Sequence, residues 1–272
     1  MKTVGILVRP DFTAGLKVAG ELITYLEKRK IRILLPSHLA NALKRSELDC
    51  AIEDFHADFV ISLGGDGTTL YAARHLPPSV PILPVNLESF GFLSECEAQE
   101  AEARLDQVLR GELVVQKTPR LGIKQEQKQL AAVVNEAAFF PRDKGRPTPI
   151  RVQIGDFAEF EFRADGFVVA TPMGSTGHAF SLGGPILDLQ LQALLLIAAA
   201  PLRKGFHPLV IPDANETTIH FEKAGQLYGD GDHIMDFPES SRFTIYKTDQ
   251  PLGILRRPAQ FYARLKTKLL RC

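Results

Sequence analysis

The hydrophobic pattern changes character near Lys117, and that change constrains the fold more than any other feature of the chain. Before it, strand-like and helix-like segments alternate. Residues 3–8 read as a buried strand, and residues 14–30 carry Leu16, Val18, Ala19, Leu22, Ile23 and Leu26 near helical spacing. Residues 31–35 and 58–63 read as further strands, 69–76 as a helix, 81–85 as a strand and 98–110 as an amphipathic helix. Strands alternating with helices imply a mainly parallel sheet covered on both faces. From 122 to about 247 the segments become short and rich in β-branched and aromatic residues, as at 133–134, 151–154, 157–162, 167–171, 217–221 and 242–246. Polar or Gly/Pro turns separate most of them, which is the pattern of a β-sandwich. Residues 182–199 fit either a helix or a buried strand. The expected architecture is an α/β domain with a mainly parallel sheet over residues 1–118, and an all-β (β-sandwich) domain over 119–251. The tail, 252–272, is expected to pack back on the first domain, with Phe261, Leu265 and Leu269 at helical spacing within 260–270.

Composition narrows the function classes. The 272 residues carry a formal net charge of +0, so no basic excess exists to neutralise a nucleic-acid backbone. Cys50, Cys96 and Cys272 lie far apart without a CxxC pair, which suits free thiols in a reducing compartment. The apolar stretch at 4–8 is cut short by Arg9 and Asp11, and the richest apolar run, 193–202, is far below the ~20 residues of a membrane span. The expectation is a cytoplasmic protein with no membrane insertion. His75, His178, His207 and His233 show no metal-ligand spacing, and no metal ligand is assigned. Arg256-Arg257-Pro258 reads as a solvated stretch.

The first motif is Gly64-Gly65-Asp66-Gly67-Thr68, placed between a buried strand and a helix. Open α/β sheets bind ligands at such carboxyl ends of parallel strands. Glycines let the backbone approach a phosphate, and a helix N-terminus offers free N–H groups with a partial positive charge. Asp66 does not suit a purely phosphate-cradling loop, because a carboxylate repels phosphate. It suits a base that takes a proton from an attacking hydroxyl, or a holder of Mg²⁺ beside phosphates. The alternative is an Asp that caps the next helix. No GxxxxGK[ST] occurs, and Leu70 stands where a dinucleotide fingerprint needs its third glycine.

The second motif is a strand at 165–171 that runs into a loop of small residues and hydroxyls through Pro172, Met173, Gly174, Ser175, Thr176, Gly177, His178 and Ser181 to Gly183-Gly184-Pro185-Ile186. Such a loop presents N–H groups and oxygens to a polar ligand. A third is Asn135-Glu136, which by itself reads as a turn or cap.

In this order the segments resemble the NAD kinase family: the GGDGT turn, the Asn-Glu pair, and the stretch from Asp165 to Ile186. Asn86 and Gly91-Phe92-Leu93 look like the family's N-x-G-x-L-G-F-L segment, and the 261–269 tail like its C-terminal helix. The resemblance runs over most of the chain. It implies a nucleotide-binding α/β domain and a NAD-binding β-sandwich. The implied reaction transfers the γ-phosphoryl group of ATP, or a phosphoryl group of polyphosphate, to the 2′-hydroxyl of the adenosine ribose of NAD, with Mg²⁺ as the divalent ion. By similarity Asp66 is the base, and Gly64, Gly65, Gly67, Thr68 and Asn86 belong to the nucleotide site. Asn135 and Glu136 hold the adenosine part, Asp165 sits near the nicotinamide end, and Ser175 and Thr176 line the adenine pocket. Gly177, His178 and Ser181 complete that loop, Arg163 steadies phosphates, and Asp230 of a late Asp-Gly turn contacts ligand. A homodimer or homotetramer is also implied. The chain departs from the family at Met173, which loses a hydroxyl, at His178, which replaces a tyrosine, and at Glu88 and Phe90, which replace a glycine and a leucine. The alternatives are a related kinase acting on NADH, a lipid or a polyol, and a non-catalytic nucleotide-binding regulator, against which Asp66 argues.

Overall fold

The computed structural model describes residues 2–88, 91–143, 145–202, 205–257 and 261–270, with backbone alone at 264 and 268–270. Phe90, Pro258 and Gln260 lie outside the described residues. The chain divides into two compact units, Met1–Lys117 with Leu252–Cys272, and Thr118–Pro251.

The first unit runs β1 (Thr3–Val8), α1 (Gly15–Lys28), β2 (Arg32–Leu34), α2 (Ser37–Ala42), β3 (Phe59–Gly64), α3 (Asp66–His75), β4 (Ile82–Asn86), β5 (Cys96–Glu97), α4 (Ala101–Leu109) and β6 (Val114–Thr118). β3 and β4 are buried at every position, as expected of strands covered on both faces. Val4, Ile6, Ile61 and Leu63 of the sheet pack with Ala19, Leu22, Ile23 and Leu26 of α1. Burying each of the larger aliphatic chains contributes about 1.5–3 kcal/mol. The helix expected at 98–110 is a 3₁₀ turn at Ala98–Glu100 followed by α4.

The second unit holds β7 (Leu121–Gln125), β8 (Lys128–Val133), β9 (Glu136–Pro141), β10 (Thr148–Ile154), β11 (Ala158–Ala164), β12 (Gly166–Ala170), α5 (His178–Ser181), β13 (Ala193–Ala199), β14 (Leu209–Pro212), β15 (Thr217–Phe221), β16 (Gly225–Gly229), β17 (Asp232–Phe237) and β18 (Ser241–Lys247). Two antiparallel sheets, ordered β11-β10-β15-β18-β7-β8 and β14-β13-β12-β9-β16-β17, form the sandwich. Their inward residues alternate, and Phe139, Phe167, Phe221, Phe237 and Phe243 fill the space between them. β12 and β13 are buried on both faces. Their outer face packs on Ala179 and Leu187 of the loop that follows β12. This settles residues 182–199: the strand occupies Ala193–Ala199, and its unbroken apolar run reflects cover on two sides.

The chain then returns to the first unit as β19 (Leu252–Arg256), which lies beside β4 in parallel in the order β2-β1-β3-β4-β19-β6. The tail, α6 (Phe261–Arg264), continues as a π-helix over Leu265–Leu270, and Phe261 meets the Phe92 ring edge-on at 5.8 Å.

Candidate active site

β3 delivers the glycine turn to the carboxyl edge of the parallel sheet. A Cβ on Gly64 would lie 2.1 Å from Thr68 Oγ1, so the turn closes only with glycine there. The Thr68 and Thr69 N–H groups donate to Gly65 O at 3.1 and 3.3 Å, and Thr69 Oγ1 lies 3.1 Å from Ser62 Oγ. α3 therefore starts at Asp66, three residues before the expected 69–76 segment. An acidic residue in the first turn suits the positive end of the helix.

Gly65, not Asp66, is the N-cap of α3. The Asp66 Oδ2 accepts the Phe92 N–H at 2.9 Å and its Oδ1 the Leu93 N–H at 2.8 Å. These two residues belong to the Gly91-Phe92-Leu93 segment after β4. The Leu93 carbonyl in turn accepts from Arg256 Nη2 at 3.2 Å. Burial pushes the Asp66 pKa above the ordinary range, the two N–H groups and the Arg256 charge pull it back, and the Glu88 charge adds to the rise. The result is a half-buried carboxylate, fixed in direction and more basic than a solvated one.

Arg256-Arg257 is not a solvated stretch. Arg256 is 5% exposed, and Arg257 Nε donates to Oε1 of the buried Glu95 at 2.9 Å. The polar groups of 93–95, some 160 positions earlier, draw both cations inward, and nothing local in the sequence signals it.

Asn86, expected at the nucleotide, is 1% exposed and hydrogen-bonded within its own unit. Its Nδ2 donates to Glu88 O at 2.7 Å and Glu97 Oε2 at 2.8 Å, so it braces the loop that carries Glu88. The Glu88 carboxylate lies against Gly65: a Cβ there would come within 2.3 Å of Oε2.

In the second unit, Glu136 opens β9, and Asp230 stands at a left-handed φ of 50° between β16 and β17. The Asp230 carboxylate accepts N–H bonds from Val134 at 2.8 Å, Asn135 at 2.6 Å and Glu136 at 3.2 Å. These bonds set the Asn135-Glu136 turn. Asn135 Oδ1 and Glu136 Oε2 are buried with no hydrogen-bond partner among the described residues. Orphaned buried acceptors are costly, and they mark a place built for something else. Burial, then the Asp230 charge, pushes the Glu136 pKa up to about 8.

The 171–176 loop is tied to the same turn. Thr171 Oγ1 donates to Val134 O at 2.6 Å and accepts from the Gly174 N–H at 3.1 Å. A Cβ on Gly174 would lie 2.1 Å from Asn135 O, which only glycine allows. Ser175 is fully buried, donating to Pro172 O at 2.7 Å and accepting from the Leu187 N–H at 2.9 Å. Thr176 Oγ1 donates to Met173 O at 3.1 Å. These hydroxyls, expected at an adenine, hold the loop together. Met173 is buried, so the hydroxyl missing there is replaced by packing. Gly177 precedes α5, and Ser181 ends it, exposed.

A cavity of ≈ 470 Å³ opens beside this loop, lined by residues that include Glu136, Phe140, Asp165, His178, Gln226 and Tyr228. That volume suits a dinucleotide-sized or smaller ligand part. His178 stacks on Phe140 with ring centroids 5.6 Å apart and planes at 23°, and the Tyr228 ring stands at 65° to Phe140. Burial lowers the His178 pKa, which favours the neutral ring. Phe140 and Tyr228 were not singled out from sequence, because only the strand pairing shows which side of β9 and β16 they occupy. Arg163 is not a lining residue: exposed on β11, its Nη2 donates to Pro147 O at 3.0 Å.

A family model described as the ATP-NAD kinase N-terminal domain matches residues 4–113, and one for the ATP-NAD kinase C-terminal domain matches residues 134–256. A NAD kinase of Methanosphaera stadtmanae is 30% identical over 98% of this chain and 98% of its own length. The chain belongs to the NAD kinase family. A NAD kinase of Pyrococcus abyssi is also 30% identical, over 97% of this chain and 98% of its own. The crystal structure of a NAD kinase from Archaeoglobus fulgidus in complex with ATP matches with a TM-score of 0.79 at 25% identity, covering 98% of each chain. Yeast NADH kinase in complex with NADH shares the fold, with a TM-score of 0.90 at 21% identity over all of this chain and 88% of that one. Among the described residues no helix is long and apolar enough to cross a membrane.

Proposed function

We propose that this protein is a NAD kinase, moving the γ-phosphoryl group of ATP, or a phosphoryl group of polyphosphate, to the 2′-hydroxyl of the adenosine ribose of NAD to give NADP. The observation that carries the reading is Asp66, a desolvated carboxylate held by the Phe92 and Leu93 N–H groups in a glycine turn at a helix N-terminus. Asp66 takes the 2′-hydroxyl proton as the new O–P bond forms and the bond to the leaving phosphate breaks, releasing ADP when ATP is the donor. A positioned base contributes about 10²–10⁴ in rate. The free N–H groups of α3 face the incoming phosphates, whose charge Mg²⁺ reduces as part of the donor substrate.

Glu136 and Asn135 are the ribose-binding pair, on the strength of their orphaned acceptors. Below pH about 8 Glu136 is neutral and can both donate to and accept from a hydroxyl. Phe140, His178 and Tyr228 offer ring faces to a planar heterocycle, with Asp165 at the cavity wall as a polar partner for the nicotinamide amide. The protein works in the cytoplasm as a homodimer or homotetramer.

The test is NADP formation by the purified protein with ATP and Mg²⁺, repeated with polyphosphate as donor and NADH as acceptor. Asp66→Asn is assayed alongside for turnover and for NAD binding. Turnover lost with binding kept supports the assignment. Wild-type binding of NAD with no phosphorylation of any acceptor returns the chain to a regulatory role.

A further inference from the structure

We infer that Arg9 is the cation that receives the terminal phosphates of the phosphoryl donor at the 64–68 turn, an assignment that rests on the phosphoryl-transfer reading of that turn. The need for a cation follows from the charges present. A triphosphate arriving at this turn meets Asp66 and the Glu88 carboxylate, which lies against Gly65. The N-terminus of α3 offers only about half an elementary charge against them. Arg256 is buried and tied to the Leu93 carbonyl, so it acts on Asp66 from within.

Arg9 lies on the open side. It directly follows β1, whose last residue pairs in parallel with Leu63, so Arg9 and the glycine turn leave the sheet at the same edge, side by side. Its Nη1 lies 3.0 Å from where a Cβ on Gly67 would stand. Its Nε donates to Asp11 Oδ1 at 2.6 Å, and the side chains are 39% and 66% exposed. A surface pair of that kind is worth about 0–1 kcal/mol and exchanges readily for a stronger anion. Neither Nη atom makes a hydrogen bond among the described residues. Asp11 thus holds the guanidinium through Nε and leaves Nη1 beside Gly67; a guanidinium free at its two terminal nitrogens binds two phosphate oxygens at once. Glu88 on Gly65 and Arg9 on Gly67 flank the turn with opposite charges, and both depend on the absence of a side chain at those glycines. The ligand class is the phosphate chain of a nucleoside triphosphate or of inorganic polyphosphate, independent of any base.

The test uses Arg9→Gln and Arg9→Lys in the full chain, with thermal unfolding as a check on folding. In steady-state kinetics Arg9→Gln raises the donor KM by about tenfold or more, as expected for loss of a charge-assisted bond, and leaves the NAD KM within about twofold. Arg9→Lys falls between, because it keeps the charge and loses the fork. Calorimetric titration with inorganic tripolyphosphate reads the same contact without catalysis: wild type binds, and Arg9→Gln binds about tenfold more weakly. Failure of wild type to bind tripolyphosphate, or equal binding by Arg9→Gln, overturns the inference. An Arg9-dependent tripolyphosphate site in a protein that makes no NADP keeps the Arg9 assignment and sinks the kinase reading. NADP formation with an unchanged donor KM in Arg9→Gln does the reverse.

Discussion

Each unit contains one desolvated carboxylate at its turn, and the two are treated differently. Asp66 loses water but gains two backbone N–H bonds, and the Arg256 charge also acts on it. Glu136 loses water, gains nothing for Oε2, and faces the negative charge of Asp230. Both pKa values rise, that of Glu136 to about 8. The hydrogen-bond donors around each group decide its role. The two N–H groups and the Arg256 charge favour the Asp66 anion, the form that can accept a proton, while Glu136 stays protonated near neutral pH and behaves as a hydroxyl-like donor. A pair of carboxylates separated in this way is how one protein supplies a base and a neutral binding group at the same pH.

The comparison breaks first at Asp66. Asp66→Asn lowers kcat by about 10²–10⁴ and changes NAD affinity little, measured by turnover and by equilibrium binding. If Asp66→Asn turns over like wild type, the contrast between the two carboxylates has no catalytic meaning. Next comes the Arg256 charge. Its removal in Arg256→Met raises the Asp66 pKa, so the acidic limb of the kcat/KM profile moves to higher pH, and kcat/KM at neutral pH falls by about tenfold. Arg256→Lys restores part of the loss. An unmoved limb in a folded Arg256→Met protein means that Arg256 only braces Leu93.

Glu136 makes a prediction about stability. Its folded value of about 8 lies above the ordinary 4.5, so the folded protein keeps a proton that the unfolded chain gives up between those values. Stability contributed by the protonated group is present below pH 4.5, declines as pH rises to about 8, and levels off above. The decline is on the order of a few kcal/mol. Glu136→Gln, which resembles the protonated form, flattens this part of the Tm profile between pH 5 and 9 and keeps NAD binding at neutral pH. A Tm profile identical to wild type would show that Glu136 titrates normally. The smallest effect is at Glu88: Glu88→Gln removes a like charge, so the Asp66 limb moves to lower pH and the donor KM falls by about two- to threefold. A rise in donor KM would show that Glu88 assists the donor instead.

Much of this was legible in the chain itself. The change from helix-strand alternation to short strands reflects two ways of burying apolar surface, and local side-chain periodicity reports that directly. The glycine turn was legible because the close approaches at Gly64 and Gly174 tolerate no side chain, and only one residue type meets that demand. What local pattern missed was contact partners. Residues 182–199 could not be assigned until the facing sheet and the loop after β12 were placed on the two faces of Ala193–Ala199. Asn86, Ser175 and Asp230 are polar residues in motif positions, and each makes hydrogen bonds to groups of its own unit.

The sequence by itself determined the order of elements, the glycines of the turns, the family and the presence of Asp66. Tertiary structure alone decided what surrounds Asp66 and Glu136: Arg256 approaches from the last strand, and Asp230 from a turn some 95 residues beyond Asn135. Hydrophobic periodicity is a property of neighbours along the chain. The electrostatic state of a buried carboxylate depends on which distant donors and charges the fold brings within a few ångströms of it.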